Sequence, residues 1–161
     1  MNRNQEEMIR ITNECRQILR DPHYSKELSA KLIDWLKSPF APISDIAGLC
    51  LIKFGGAAFD DLLVRVTRDG PWPNAVWVLT ATECKYEKIV PLLRSWLHDS
   101  TGDLQSQCAG SFAHIILALK EAGQPPLPAD VKACIDVFTK YSAENSLVRW
   151  RLNRFQLGLK E

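Results

Sequence analysis

A charge of one sign is what this sequence most plainly lacks. Its 20 basic residues stand against 19 acidic ones, for a net charge of +1. That balance excludes a surface built throughout for nucleic acid or an anionic membrane, although a local patch is still allowed. Long apolar runs are missing as well. The longest apolar stretches match one short helix, so no membrane span is expected. The N-terminus, Met1-Asn2-Arg3-Asn4-Gln5-Glu6-Glu7, has no apolar segment of a secretory signal. No polar low-complexity tract interrupts the apolar residues, which argues against disorder.

Residues that commonly carry chemistry are sparse and scattered. The histidines, His23, His98 and His114, lie far apart in sequence. No HExxH, CxxC pair or His/Cys cluster offers zinc ligands. There is no P-loop, no GxGxxG and no GxSxG elbow. No cofactor and no catalysis are expected. The five cysteines, Cys15, Cys50, Cys84, Cys108 and Cys134, are odd in number and lack close pairs. They read as reduced thiols in a cytoplasmic protein, used as small apolar filler where helices approach. His114 follows Phe112 and Ala113 and reads as a histidine at the edge of the core. The polar stretch His98-Asp99-Ser100-Thr101-Gly102-Asp103 lacks the length and spacing of a calcium loop. It reads as a turn in which Asp103 or Ser100 caps the next helix. Asp60 and Asp61 point about 100° apart on a helix and share no proton. We place them in a first turn, where the dipole favours negative charge.

What is present is helical periodicity. Within Glu87–His98, residues Ile89, Leu92, Leu93, Trp96 and Leu97 fall at i, i+3, i+4, i+7 and i+8, one face of an amphipathic helix. Pro91 is placed in that helix's first turn, where a missing amide is tolerated. Leu28, Leu32, Trp35 and Leu36 repeat the stripe in Ser25–Lys37. Phe59, Leu62, Leu63 and Val66 do so in Ala57–Arg68, and Val131, Cys134, Ile135 and Phe138 in Pro128–Tyr141. Between these lie Ile43–Phe54, Asn74–Cys84 and Asp103–Leu119, richer in small residues and apolar on more sides. The run Ala75-Val76-Trp77-Val78-Leu79 predicts a helix covered on both sides. Strand alternation and hairpin turns are lacking, and glycine or proline marks the breaks.

The two helix types alternate with a period. Leu28, Phe59 and Val90 are 31 residues apart, as are Trp35, Val66 and Leu97; Ala47, Val78 and Ala109; and the turn residues Ser38, Asp69 and Ser100. Recurring core and turn positions are the mark of a helical solenoid. The segment Val90-Pro91-Leu92-Leu93, with Leu97-His98-Asp99 and Cys108-Ala109, resembles short bacterial HEAT-like repeats of the bilin-lyase type. The resemblance covers roughly residues 25–142. It departs at Leu104-Gln105-Ser106-Gln107, where such repeats often carry an arginine. The resemblance implies a single domain over residues 1–161. That domain would be a right-handed α-α superhelix of eight or nine helices in antiparallel pairs, with flanking terminal helices.

Two features point to a partner. Trp72 stands between Pro71 and Pro73, stiff enough to anchor another protein cheaply, or else to fold back as a lid over the next helix. In Ser146–Leu159, residues Val148, Leu152, Phe155 and Leu159 form one stripe, while Trp150 and Leu157 fall on the opposite face. That second stripe predicts a partner or dimer contact, or else a helix buried on both sides. Arg149, Arg151, Arg154 and Lys160 make the segment basic, and Arg151 and Arg154 lie closest to the Trp150 face.

The candidate partner-binding residues are therefore Trp72, Trp150, Arg151, Arg154 and Leu157. The resemblance implies a protein-binding module, monomeric or homodimeric, engaging one specific partner. An immunity protein covering a toxin's active site is one such case. Two further implications of the resemblance are a nucleic-acid-binding or DNA-glycosylase-like protein, disfavoured by the neutral charge, and a bilin chromophore lyase.

Overall fold

The computed structural model describes residues 3–82 and 85–161. Among these residues it contains nine α-helices and no strand. None of them is long and apolar enough to cross a membrane. The chain divides into two compact units, Met1–Cys84 and Lys85–Glu161.

The first unit holds α1 (Arg3–Arg20), α2 (Lys26–Leu36), α3 (Ala41–Phe54), α4 (Gly56–Asp69) and α5 (Pro73–Ala81). The start of α2 follows from Ser25, whose Oγ accepts a hydrogen bond from the Leu28 amide at 3.1 Å and so satisfies a donor that no helix carbonyl can reach. Gly55 ends α3 and begins α4 at φ +66°, a conformation that favours a residue without Cβ. Helix α3 packs on α1, α2, α4 and α5. Its small residues explain how it serves so many neighbours. At Gly48 the Trp77 ring of α5 approaches so closely that an added Cβ would lie 2.4 Å from Cζ3.

The second unit holds α6 (Tyr86–Asp99), α7 (Gly102–Glu121), α8 (Pro128–Ser142) and α9 (Ser146–Lys160). Its core includes Ile89, Leu93, Phe112, Ile115, Phe138 and Phe155. The Phe138 and Phe155 rings meet edge to face at 6.2 Å, a favourable geometry for the aromatic quadrupoles. Polar links join the helix ends. Arg94 grips Asp130 with two bonds of 2.9 and 2.7 Å. Tyr141 Oη donates to Gln105 Oε1 and accepts from the Gly102 amide, each at 2.9 Å.

Several expectations are corrected. Helix α6 begins earlier than its stripe suggested, because Lys85 adopts φ +56° and serves as N-cap. Pro91 is then the sixth helical residue, past the first turn. Its missing amide leaves the Glu87 carbonyl without an i+4 partner, which is tolerable because Pro91 is exposed. Neither Asp103 nor Ser100 is an N-cap: Thr101 holds that position in α7, and Ser100 Oγ donates to the Trp96 carbonyl. Asp60 and Asp61 lie in the second turn of α4, which starts at Gly56. His114 is exposed, since α7 turns that side outward while Ala113 and Ile115 turn inward.

The 31-residue spacing holds for Ala47, Val78 and Ala109, all fully buried. Leu28 and Val90 are only half-buried. The fully buried positions in the stripe-bearing helices α2, α4 and α6 include instead Ser29, Phe59 and Ile89, 30 residues apart in sequence.

Candidate functional site

The last helix is laid down by its cap and its inner stripe. Asn145 Oδ1 accepts from the amides of Leu147 and Val148 at 3.0 and 3.2 Å. Val148 and Phe155 are buried, with Leu152 and Leu159 half-buried beside them. Helix α9 packs against α7 and α8. At about 100° per residue, that inner stripe leaves the opposite face outward.

The outward face is apolar where a solvated helix surface would be polar. Leu147, Trp150 and Leu157 are 53%, 58% and 57% exposed. The Arg154 guanidinium sits 5.8 Å from the Trp150 ring centroid and is itself exposed. The four residues recur at i, i+3, i+7 and i+10, a straight seam of the kind that packs against another helix. Leu147 belongs to this face although the pattern of positions opposite Val148 does not include it. Its i, i+3 step to Trp150 is the sequence signal that marks it.

The remaining basic residues of α9 have separate roles. Arg149 donates to the carbonyls of Ser142 (3.2 and 3.0 Å) and Ala143 (3.3 Å), satisfying the end of α8. Arg151 is turned toward α7, where Gly110 makes room. A Cβ at Gly110 would meet its guanidinium at 3.0 Å. Burial pulls the Arg151 pKa below its ordinary value, and among the described residues no carboxylate pairs with it. Trp150, Arg154 and Leu157 thus share one surface, and Arg151 lies on its α7 flank.

Trp72 belongs to the first unit and forms the N-cap of α5. It is half-buried, its Nε1 is enclosed with no hydrogen-bond partner among the described residues, and Lys37 Nζ stands 4.6 Å above the ring. Lys37 also donates to Asp69 at 2.9 Å, which in turn receives Arg65 at 2.6 Å and Arg68 at 2.7 Å. Arg68, then Lys37 and Arg65, hold the Asp69 carboxyl well below the usual range. Arg65 also reaches Asp34 at 2.6 Å. The three cations of this cluster are all engaged by the two carboxylates Asp69 and Asp34, which favours a polar staple over an open phosphate cradle.

The thiols are enclosed. Cys15, Cys50, Cys108 and Cys134 are buried; Cys84 lies outside the described residues. Burial pushes the Cys108 and Cys134 thiols up to about 12. Cys50 donates to the Cys15 carbonyl at 3.4 Å, and hydrogen bonding with Cys15 and then burial raise its pKa. Among the described residues no three His, Cys, Asp or Glu side chains gather as metal ligands. His23 pairs with Asp21 and His98 with Asp99, both on the surface.

No family model, curated protein or solved structure matches the chain.

Proposed function

We propose that the chain is a protein-binding module of the HEAT-like class, and that the outward face of α9 is its docking surface. The observation that carries this reading is the exposed seam of Leu147, Trp150 and Leu157. An apolar stripe on a helix already anchored by another stripe adds nothing to the unit's own core. It gains only when something covers it. Tryptophan and arginine are the side chains that most often dominate binding energy, and here they adjoin. Leucines at either end would help to exclude water around them. Arg151, partly desolvated and without a carboxylate, adds positive potential along one edge.

The alternation of stripe-bearing and small-residue helices supports the HEAT-like assignment. So does the equivalent burial of Ala47, Val78 and Ala109. In this reading the chain does its work by occupying a surface. An immunity protein that blocks a toxin is one form such a module takes, and a toxin would compete with any other occupant of the α9 face.

The test is copurification from the native host with mass spectrometry, followed by reassembly of the purified pair. A stoichiometric protein bound by the wild type and released by Trp150→Ala/Arg154→Ala is the expected result. A protein that binds both forms equally would remove α9 from the account. Copurified nucleic acid or pigment, in place of protein, would replace the reading altogether.

A further inference from the structure

We infer that the α9 face is covered by a second copy of this chain, in an antiparallel helix pair with its dyad at residue 152. The inference rests on the reading of this face as a protein-binding surface, and it names what covers it.

The argument is one of self-complementarity. A twofold interface requires that when residue i meets residue j of the other copy, j also meets i. In an antiparallel helix pair centred on residue 152, Leu147 falls opposite Leu157 of the second copy, and Trp150 opposite Arg154. All four are exposed. Leucine meets leucine at both ends, and a cation meets an aromatic ring on either side of the dyad. The spacing 147, 150, 154, 157 is the three–four–three step of a helix seam, in which antiparallel partners set the two seam positions against each other. Any parallel pairing would stack Arg154 on Arg154 and oppose like charges. The Arg154 guanidinium already lies 5.8 Å from its own Trp150 ring, so it can turn to the partner's ring with a small rotation.

The rest of α9 is compatible with this arrangement. Arg149 is held by the end of α8, and Arg151 is turned toward Gly110, so neither places a second cation on the seam. The acidic groups beyond the two ends of the seam are Glu144, three residues before Leu147, and Glu161, one turn past Leu157. The seam spans three turns of helix. Its area falls at the small end of specific interfaces, so the dimer is expected to be weak, with a midpoint on the order of 10 µM.

Sedimentation equilibrium from ~1 to ~500 µM tests the association. The mass should rise from 18.2 kDa toward twice that value. Trp150→Ala should move the midpoint up at least ~10-fold, as expected for a central aromatic anchor. Circular dichroism of the variant should be unchanged, because the side chain is outside the core.

The register is tested in a Cys84→Ser background by mixing Leu147→Cys and Leu157→Cys chains under mild oxidation. Cross-links should join position 147 to 157 of the other copy. Position 147 should not join to itself, since the two copies of that residue would stand about 15 Å apart along the axis. A mass fixed at 18.2 kDa throughout, or a dimer indifferent to Trp150→Ala, overturns the inference. A monomer that still binds a different protein through Trp150 refutes the second copy and leaves the docking face standing. A dimer lost with Trp150 but cross-linked 147 to 147 refutes the antiparallel register.

Discussion

Gly48→Ala should destabilise the first unit even though it replaces glycine with the best helix former. The added methyl would sit 2.4 Å from Trp77 Cζ3 and 3.1 Å from both Trp77 Cη2 and Val78 Cγ2. Carbon atoms rest at about 3.5–4.0 Å, so the indole or the α3 backbone must retreat by about 1 Å. Inserting a methylene-sized group into a packed core costs about 1–3 kcal/mol. Against this stands the intrinsic helix preference for alanine, about 1 kcal/mol. The net loss is therefore up to about 2 kcal/mol, or as much as several degrees in melting temperature at roughly 2–4 °C per kcal/mol for a chain of this size. Gly56→Ala is the matched control: it is helical, and nothing lies within 4 Å of its added Cβ. That change should stabilise by about 0.4–1 kcal/mol. Urea melts of both variants, followed by far-UV circular dichroism, give the comparison. In a Trp77→Leu background the Gly48→Ala penalty should shrink or reverse, because the obstructing ring is gone. A Gly48→Ala protein as stable as Gly56→Ala would refute the claim that α3 stays small to admit α5.

Other outcomes follow from local chemistry. Asn145→Ala should cost about 1 kcal/mol in the same melts, since it strips two amide donors of their acceptor at the start of α9. Asp69 has a folded pKa depressed by Arg68, Lys37 and Arg65. Its stabilisation is therefore complete above the unfolded value of about 3.9 and is lost as pH falls through the folded one. Asp69→Asn should accordingly lower the melting temperature at neutral pH, with the gap to wild type closing in strong acid. A gap that is constant across that range would contradict the assignment. In native protein, Cys15, Cys50, Cys108 and Cys134 should label slowly with a water-soluble disulfide reagent and become fast only on unfolding. Prompt labelling of any of the four, located by peptide mapping, would show that the helices around it open.

Much of the helical framework was legible because its signals are local. Ser25 and Pro128 mark helix starts through groups within one turn of themselves, and α2 and α8 begin where those residues indicate. The buried stripe of α6 was visible, but its first residue was not. A non-glycine residue in the left-handed region at Lys85 leaves no compositional trace, and the helix starts one residue earlier than its stripe, with Pro91 in its second turn. Which residue of each stripe is buried was blurred for a similar reason. Burial selects Ser29 and Ile89 over their neighbours Leu28 and Val90, and which side of a helix faces inward depends on neighbours that periodicity does not name.

At the candidate site, the outward position of Trp150 and Leu157 was readable from helix angles alone. The different fates of the arginines were not. Arg149 is consumed by carbonyls of the preceding helix and Arg151 by the space over Gly110, partners seven and 41 positions away in sequence. The cluster at Asp69 was equally hidden, because its cations come from α4 and from the turn that follows α2, and its proline-flanked neighbour Trp72 gave no sign of Lys37 above it.

Hydroxyl-radical footprinting tests most directly whether the α9 face is a docking surface, whatever covers it. The tagged chain would be labelled in host extract supplemented with the chain to about 500 µM, above the expected dimer midpoint, and again purified at about 1 µM, below it. Val64, 69% exposed on α4, serves as reference. The account predicts that Leu147, Trp150 and Leu157 lose several-fold in labelling rate in the extract while Val64 does not. Equal rates for these three residues in both conditions would contradict it, because the face would then stay open where its partner should be present.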